Sequence, residues 1–321
     1  MTLTSYSSPS GLSVNRLRGR TRPSRRVASL THLYDCVTVG AVLRKRLEEV
    51  RRRIHEAATR CGRDPTTITL VGVTKGVAAS AVQEAMALGL TDIGENRVQE
   101  ARQKQLALQG LRAQGSGLRV PAHSPEPTAQ SGFHVRWHLI GHLQRNKADE
   151  AVELFHVVHS VDTSALAEAL ERQAAQFAQG SRFKALGKEA VRPLEVFIQV
   201  NVSGEATKFG CTPDEALPLA RAVTQLPHLR FRGLMTLAPL SENPKEARPH
   251  FRRLRDLRDH LQVELTHGSR VTGHESLVLS MGMSNDFEVA IEEGADLVRI
   301  GTAIFTDSDS RSVTSASTGL T

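Results

Sequence analysis

Residues 68–74 form an apolar, β-branched run that ends at Lys75, where apolar positions begin to recur at three- and four-residue spacing through Val82, Ala85 and Met86. The change of period from two to about 3.6 predicts a strand followed by a helix. The same alternation repeats along the chain, and the strand candidates are Ile68 to Thr74, Thr91 to Gly94, Val135 to Ile140, Phe155 to Val161, Leu194 to Val202, Leu229 to Leu237, Leu277 to Ser280 and Ala295 to Ile300. Seven segments between them read as helices, for example through Leu166, Ala169 and Leu170. A further amphipathic helix is expected over Val39 to Cys61, stopped by Gly62. Strand followed by helix, repeated, means parallel pairing with right-handed crossovers. Eight units favour a single (β/α)8 TIM barrel, an α/β fold preceded here by an N-terminal helix, over an open doubly wound sheet. No Gly-rich dinucleotide fingerprint follows the first strand to support the open form.

The flanks break the pattern. Residues 1–36 are rich in Ser, Thr and Arg and are expected to be a disordered basic tail or an over-extended start, although such a composition also suits a transit peptide. The barrel is expected over residues 37–307, with a Gly-, Pro-, Ser- and Gln-rich surface insertion at about 109–132 and a disordered tail over 308–321. The tail also explains the charge. The 321-residue chain is formally +7, but six arginines and one aspartate lie in residues 1–35, so the remainder carries only +2. No electrostatic case for nucleic acid remains. Cys36, Cys61 and Cys211 show neither disulfide nor metal-ligand spacing, which fits a reducing cytoplasm and predicts no metal. No apolar stretch is long enough to cross a membrane.

In such a barrel, chemistry gathers at the carboxyl ends of the strands. Lys75 stands at the first of them. Pointed into a pocket it would lose hydration, which favours the neutral amine as a nucleophile toward carbonyls; lifted out, it is a solvated strand-end lysine. After strands seven and eight come Ser280-Met281-Gly282-Met283-Ser284-Asn285 and Arg299-Ile300-Gly301-Thr302. Small residues there let backbone N–H groups approach a phosphate, and Ser280, Gly301 and Thr302 supply that chemistry. For Ser284 and Asn285 the plainer expectation is that at least one caps the helix over 286–293. Arg299 needs an anion or a strong acceptor. Asn96 can cap the helix after strand two or face the mouth; His138 and His142 lack a carboxylate at metal-ligand spacing in sequence.

An amine nucleophile facing a phosphate cradle describes a pyridoxal phosphate site. The segments Val71 to Lys75, GENRVQEA at 94–101, WHLIGHLQRNK at 137–147, QVNVSGEATKFG at 199–210, RGLMTL at 232–237, LSMGMSND at 279–286 and VRIGTAIF at 298–305 run in one order over about residues 40–306. By these motifs the chain resembles the YggS/PROSC family of pyridoxal phosphate homeostasis proteins, whose barrel is similar to the N-terminal domain of alanine racemase. The resemblance implies that Lys75 forms the Schiff base with pyridoxal 5'-phosphate. It further implies that Ser280, Gly301 and Thr302 hold the phosphate, that Arg299 contacts the ring nitrogen, and that Asn96, His138 and Met235 line the ring pocket.

Gly76, Arg97 and Thr306 depart from residues frequent in that family, and Gly76 is expected to loosen the turn that aims Lys75. An arginine facing the ring nitrogen weakens the ring as an electron sink. Both tyrosines, Tyr6 and Tyr34, lie in the tail, so neither can serve as a racemase's second base. The implied protein is a monomeric, cytoplasmic, non-catalytic vitamin B6 carrier, with pyridoxal phosphate-dependent apo-enzymes as partners and no membrane or nucleic-acid partner. The alternative is a weak pyridoxal phosphate-dependent amino-acid racemase using His138 or released Lys75 as proton carrier. A more distant one is a sugar-phosphate barrel without cofactor.

Overall fold

The computed structural model describes residues 27–113, 135–179, 192–267 and 276–306, with side chains described from Gly40 onward apart from those of 112, 113 and 267. The chain divides into two compact units, residues 1–40 and 41–321. The second is the barrel. Its strands are β1 Thr69–Val73, β2 Asp92–Glu95, β3 Arg136–Leu139, β4 Val157–Val161, β5 Leu194–Gln199, β6 Leu229–Met235, β7 Val278–Ser280 and β8 Leu297–Ile300. All pair in parallel, each with the next, and β8 closes on β1 with Val71 opposite Arg299.

Helix α1 runs Val27–Arg60, so it begins before Val39 and takes in residues 27–36, which the sequence reading places in the tail. The crossovers carry α2 Ala79–Ala87, α3 Val98–Ala113, α4 Ala148–Leu154, α5 Ser164–Gln179, α6 Pro213–Thr224, α7 Arg248–His267 and α8 Phe287–Glu292, and a short α9, Thr302–Phe305, follows β8. Helix α3 therefore continues through residues 109–113, where the insertion was expected to begin. Residues 1–26, 114–134 and 307–321, which hold most of the expected tails and insertion, lie outside the described residues.

The strands are shorter than their apolar runs because ladder pairing stops where the chain turns toward the mouth. Two layers of core result. Outside the sheet, Leu43, Leu47, Val50 and Ile54 of α1 recur at helical spacing and join one cluster with the outward residues of the strands. Inside it, Val71, Val157, Phe197, Met235 and Leu297 form a separate, smaller cluster. The interior is otherwise polar: Asp92, His138, His159, Ser280, Gln199 and Arg299 are all buried.

Candidate functional site at the barrel mouth

Beyond the last residue of β1, Thr74 N–H still donates to Gly94 O at 3.0 Å, and Val77 N–H then donates back to Thr74 O at 2.9 Å. Lys75 and Gly76 are the middle of that turn. Gly76 has φ +69°, the left-handed value a type II turn requires at its third position. The glycine thus fits the turn that aims Lys75 rather than loosening it. Thr74 faces outward and is buried; its hydroxyl donates to Glu95 Oε1, and the buried Lys104 ammonium of α3 donates to the same oxygen and, at 2.5 Å, to Thr74 O. Strand residues alternate sides, so Lys75 shares the inward side with Val71 and Val73.

Its side chain is exposed, two residues beyond Val73 of the cavity wall and not itself part of that wall. The desolvation expected of a pocket-facing lysine is therefore not supplied by the side chains of the described residues. A ligand seated in the cavity would have to supply it.

That cavity, of about 450 Å³, opens at the carboxyl ends of the strands, and its wall includes Asn96, His142, Ser284, Arg299, Gly301 and Thr302. It is large enough for a small cofactor. Ser284 does not cap α8, nor does Asn285. The Ser284 hydroxyl oxygen accepts from Gly301 N–H at 3.3 Å and Ala303 N–H at 3.4 Å, while Asn285 donates to Ser241 O at 2.8 Å. Asp286 takes the helix entrance, its carboxylate accepting from Met283 N–H at 2.6 Å. A side-chain Cβ at Gly301 would lie 3.0 Å from Val73 O and 3.2 Å from Val73 Cβ, so the backbone can line the cavity here because the residue is glycine. With both of those N–H groups donating to its oxygen, Ser284 keeps its own O–H to donate, and with the Thr302 hydroxyl on the same cavity wall it is suited to a phosphate. His142 stacks on Phe209 with ring centroids 3.9 Å apart, and its Nδ1 lies 3.6 Å from Asp162 Oδ2.

Besides Lys75, three expected site residues are not on the cavity wall. Met235 belongs to the inner apolar cluster, and neither Ser280 nor His138 reaches the cavity wall. Ser280 and His138 belong instead to a chain of contacts through the barrel interior. Arg299 Nη1 donates to Ser280 Oγ at 2.5 Å, Ser280 Oγ meets His159 Nδ1 at 2.9 Å, His159 Nε2 meets His138 Nδ1 at 2.9 Å, and His138 Nε2 meets Asp92 Oδ1 at 2.9 Å.

Burial pushes both histidines below the usual imidazole value, His159 well below it. For His138 the hydrogen bond to Asp92 partly offsets burial, whereas the nearby positive charges add to it for His159. Burial, the largest single influence, would raise the Asp92 carboxyl, but His138, Thr91 and Arg136 together outweigh it and hold the group below the ordinary range. Burial also lowers Arg299 to about 10, and its Nη2 donates to Thr236 O at 2.8 Å. Asp92 and His159 carry no motif in sequence; inward parity on β2 and β4 is the signal that could have found them.

A closed eight-stranded barrel with a small-ligand cavity and a phosphate-suited donor set at its mouth defines the class of protein. The sequence matches the family described as "Alanine racemase, N-terminal domain" over residues 46–309. It is 40% identical over 265 residues to the pyridoxal phosphate homeostasis protein of Pseudomonas aeruginosa, covering 83% of this chain and 95% of that one. It is 38% identical to the protein of the same name from Aquifex aeolicus, covering 81% and 96%. Among solved structures, PipY of Synechococcus elongatus with pyridoxal phosphate bound superposes with a TM-score of 0.59 at 32% identity, covering 82% of this chain and 99% of that one. The chain belongs to the pyridoxal phosphate homeostasis proteins of the alanine racemase N-terminal-domain family.

Proposed function

We propose that this protein binds pyridoxal 5'-phosphate at the barrel mouth and serves pyridoxal phosphate homeostasis by holding the cofactor reversibly on Lys75, without turnover of a substrate. The observation that carries the reading is the cavity whose wall brings Ser284, Arg299, Gly301 and Thr302 together beside Val73, the last residue of β1, two residues before Lys75. Support also comes from the relatives' names and from the cofactor in the PipY structure. When bound, the cofactor supplies an aldehyde and an aromatic ring nitrogen. The Lys75 amine adds to the aldehyde carbon and water leaves, giving a Schiff base; hydrolysis reverses the step.

The Ser284 and Thr302 hydroxyls, with the close backbone at Gly301, would hold the phosphate, and Asn96 would flank the ring. Arg299 would donate to the ring nitrogen and oppose its protonation, which disfavours carbanion chemistry. His138 is no proton carrier at this site: it is fully buried and both ring nitrogens are engaged within the barrel. The protein acts on this reading as a cytoplasmic monomer that passes the cofactor to pyridoxal phosphate-dependent apo-enzymes. Equilibrium dialysis of the loaded protein against such an apo-enzyme tests it. Restoration of the recipient's activity, with no racemisation of amino acids by the donor, is expected. Racemisation at about 1 s⁻¹ or faster would establish an enzyme instead.

A further inference from the structure

The polar chain inside the barrel is not explained by ligand contact, because of its members only Arg299 reaches the cavity wall. Its ends fix its direction. Asp92, held as a carboxylate, can only accept, and a guanidinium can only donate. Between them, neutral His138, neutral His159 and Ser280 each offer one donor and one acceptor to the chain. A single order of protons satisfies all four contacts. Arg299 donates to Ser280 Oγ, Ser280 O–H to His159 Nδ1, His159 Nε2–H to His138 Nδ1, and His138 Nε2–H to Asp92 Oδ1.

We propose that Asp92, His138, His159 and Ser280 are positioning residues that hold the Arg299 guanidinium in one orientation, so that its remaining donors meet the ligand's ring nitrogen already aligned. The ligand's identity rests on the pyridoxal phosphate reading above; the hydrogen-bonded chain is formed by the protein's own residues. Several features support the assignment. Thr236 O fixes the second guanidinium nitrogen, so with Ser280 the group has two anchors on the protein side and donors left for the cavity. Stacking on Phe197, with centroids 4.7 Å apart, holds the His159 ring plane.

Asp286 acts on Arg299 through space, while the hydrogen-bonded route from Arg299 to a carboxylate runs through the chain to Asp92. His138 is faced by Asp92 of β2, Arg136 of β3 and Glu195 of β5, and His159 by His138, Arg136 and Arg299; burial keeps both rings neutral among these charges. Neutral rings are what the single proton order requires. Buried networks of this kind rigidify only when every member is satisfied, and cutting one link leaves the next group unpaired.

Two measurements test the proposal. In apo-protein with ¹⁵N-labelled histidine, assigned with His138→Gln and His159→Phe, long-range ¹H–¹⁵N spectra at neutral pH should show both rings as neutral Nε2–H tautomers. An Nδ1–H tautomer or an imidazolium at either position overturns the chain. The second measurement compares binding of pyridoxal phosphate and its 1-deaza analogue, in which C–H replaces the ring nitrogen, to wild type, His159→Phe and Ser280→Ala. Wild type should prefer pyridoxal phosphate. Both variants should weaken it roughly tenfold while weakening the analogue much less, since the lost interaction is a charged hydrogen bond to the ring nitrogen. Equal losses on both ligands, as a merely structural defect gives, or no loss at all, overturn the positioning role. Failure of wild type to bind pyridoxal phosphate overturns the cofactor reading, and the tautomer spectra distinguish that failure from failure of the chain.

Discussion

Lys104→Met should be among the most damaging single changes near the mouth. Lys104 is 8% exposed and Glu95 is fully buried, and the ammonium bridges the Glu95 carboxylate to the backbone oxygen of Thr74, the residue before Lys75. Methionine matches the stem but removes the charge and both hydrogen bonds. Among the described residues Glu95 Oε2 already has no partner, and of the contacts to Oε1 the carboxylate would keep that of the Thr74 hydroxyl. Stranding one member of a buried pair costs about 3–5 kcal/mol. For a domain of this size that corresponds to a fall in Tm of roughly 6–20 °C.

Urea unfolding followed by circular dichroism measures the loss. Adding Glu95→Gln to Lys104→Met removes the stranded charge and should recover more than about 1 kcal/mol, a coupling that a double-mutant cycle isolates. A loss under about 1 kcal/mol for Lys104→Met, or no recovery in the double variant, would refute the reasoning that this is a buried, mutually dependent pair.

Other outcomes follow from the same geometry. Ser284→Ala should weaken pyridoxal phosphate roughly tenfold or more by removing a hydroxyl from the phosphate cradle, measured by absorbance titration. Gly76→Val should destabilise by about 1–2 kcal/mol in denaturant melts. A Cβ there meets nothing within 4 Å, so the cost is the left-handed φ and not a clash. His138 and His159 have lowered folded-state values, so the unfolded chain binds more protons below the ordinary imidazole value of 6.5. Their contribution to stability is complete above about pH 6.5 and falls on acidification at up to about 2.7 kcal/mol per pH unit for two protons. Chemical denaturation from pH 7 to 5 should show that fall, and His159→Phe should make it shallower.

Much of this was legible in the sequence because the barrel writes its period into the chain: the change from strand to helix spacing at Lys75 and its repetition mark the eight strands within a few residues. Gly301, Thr302, Arg299 and Asn96 were legible at the mouth because they end strands. At least one of Ser284 and Asn285 was expected to cap α8, but the Gly301 and Ala303 N–H groups that Ser284 meets arrive just after β8, a contact local capping rules cannot see. His138 looked like a mouth residue, yet its partners Asp92 and His159 stand on neighbouring strands, and only their shared inward parity joins them. Lys75 was legible by position, but its exposure depends on the turn at Gly76 and on Thr74 being held outward.

On the proposed reading Lys75 captures the aldehyde of pyridoxal phosphate. Borohydride reduction of the loaded protein, followed by peptide mass mapping, tests it most directly. A pyridoxyl-phosphate mass is expected on the peptide containing Lys75, and no such label at any lysine in Lys75→Ala. Label absent from Lys75, or undiminished in the variant, would contradict it.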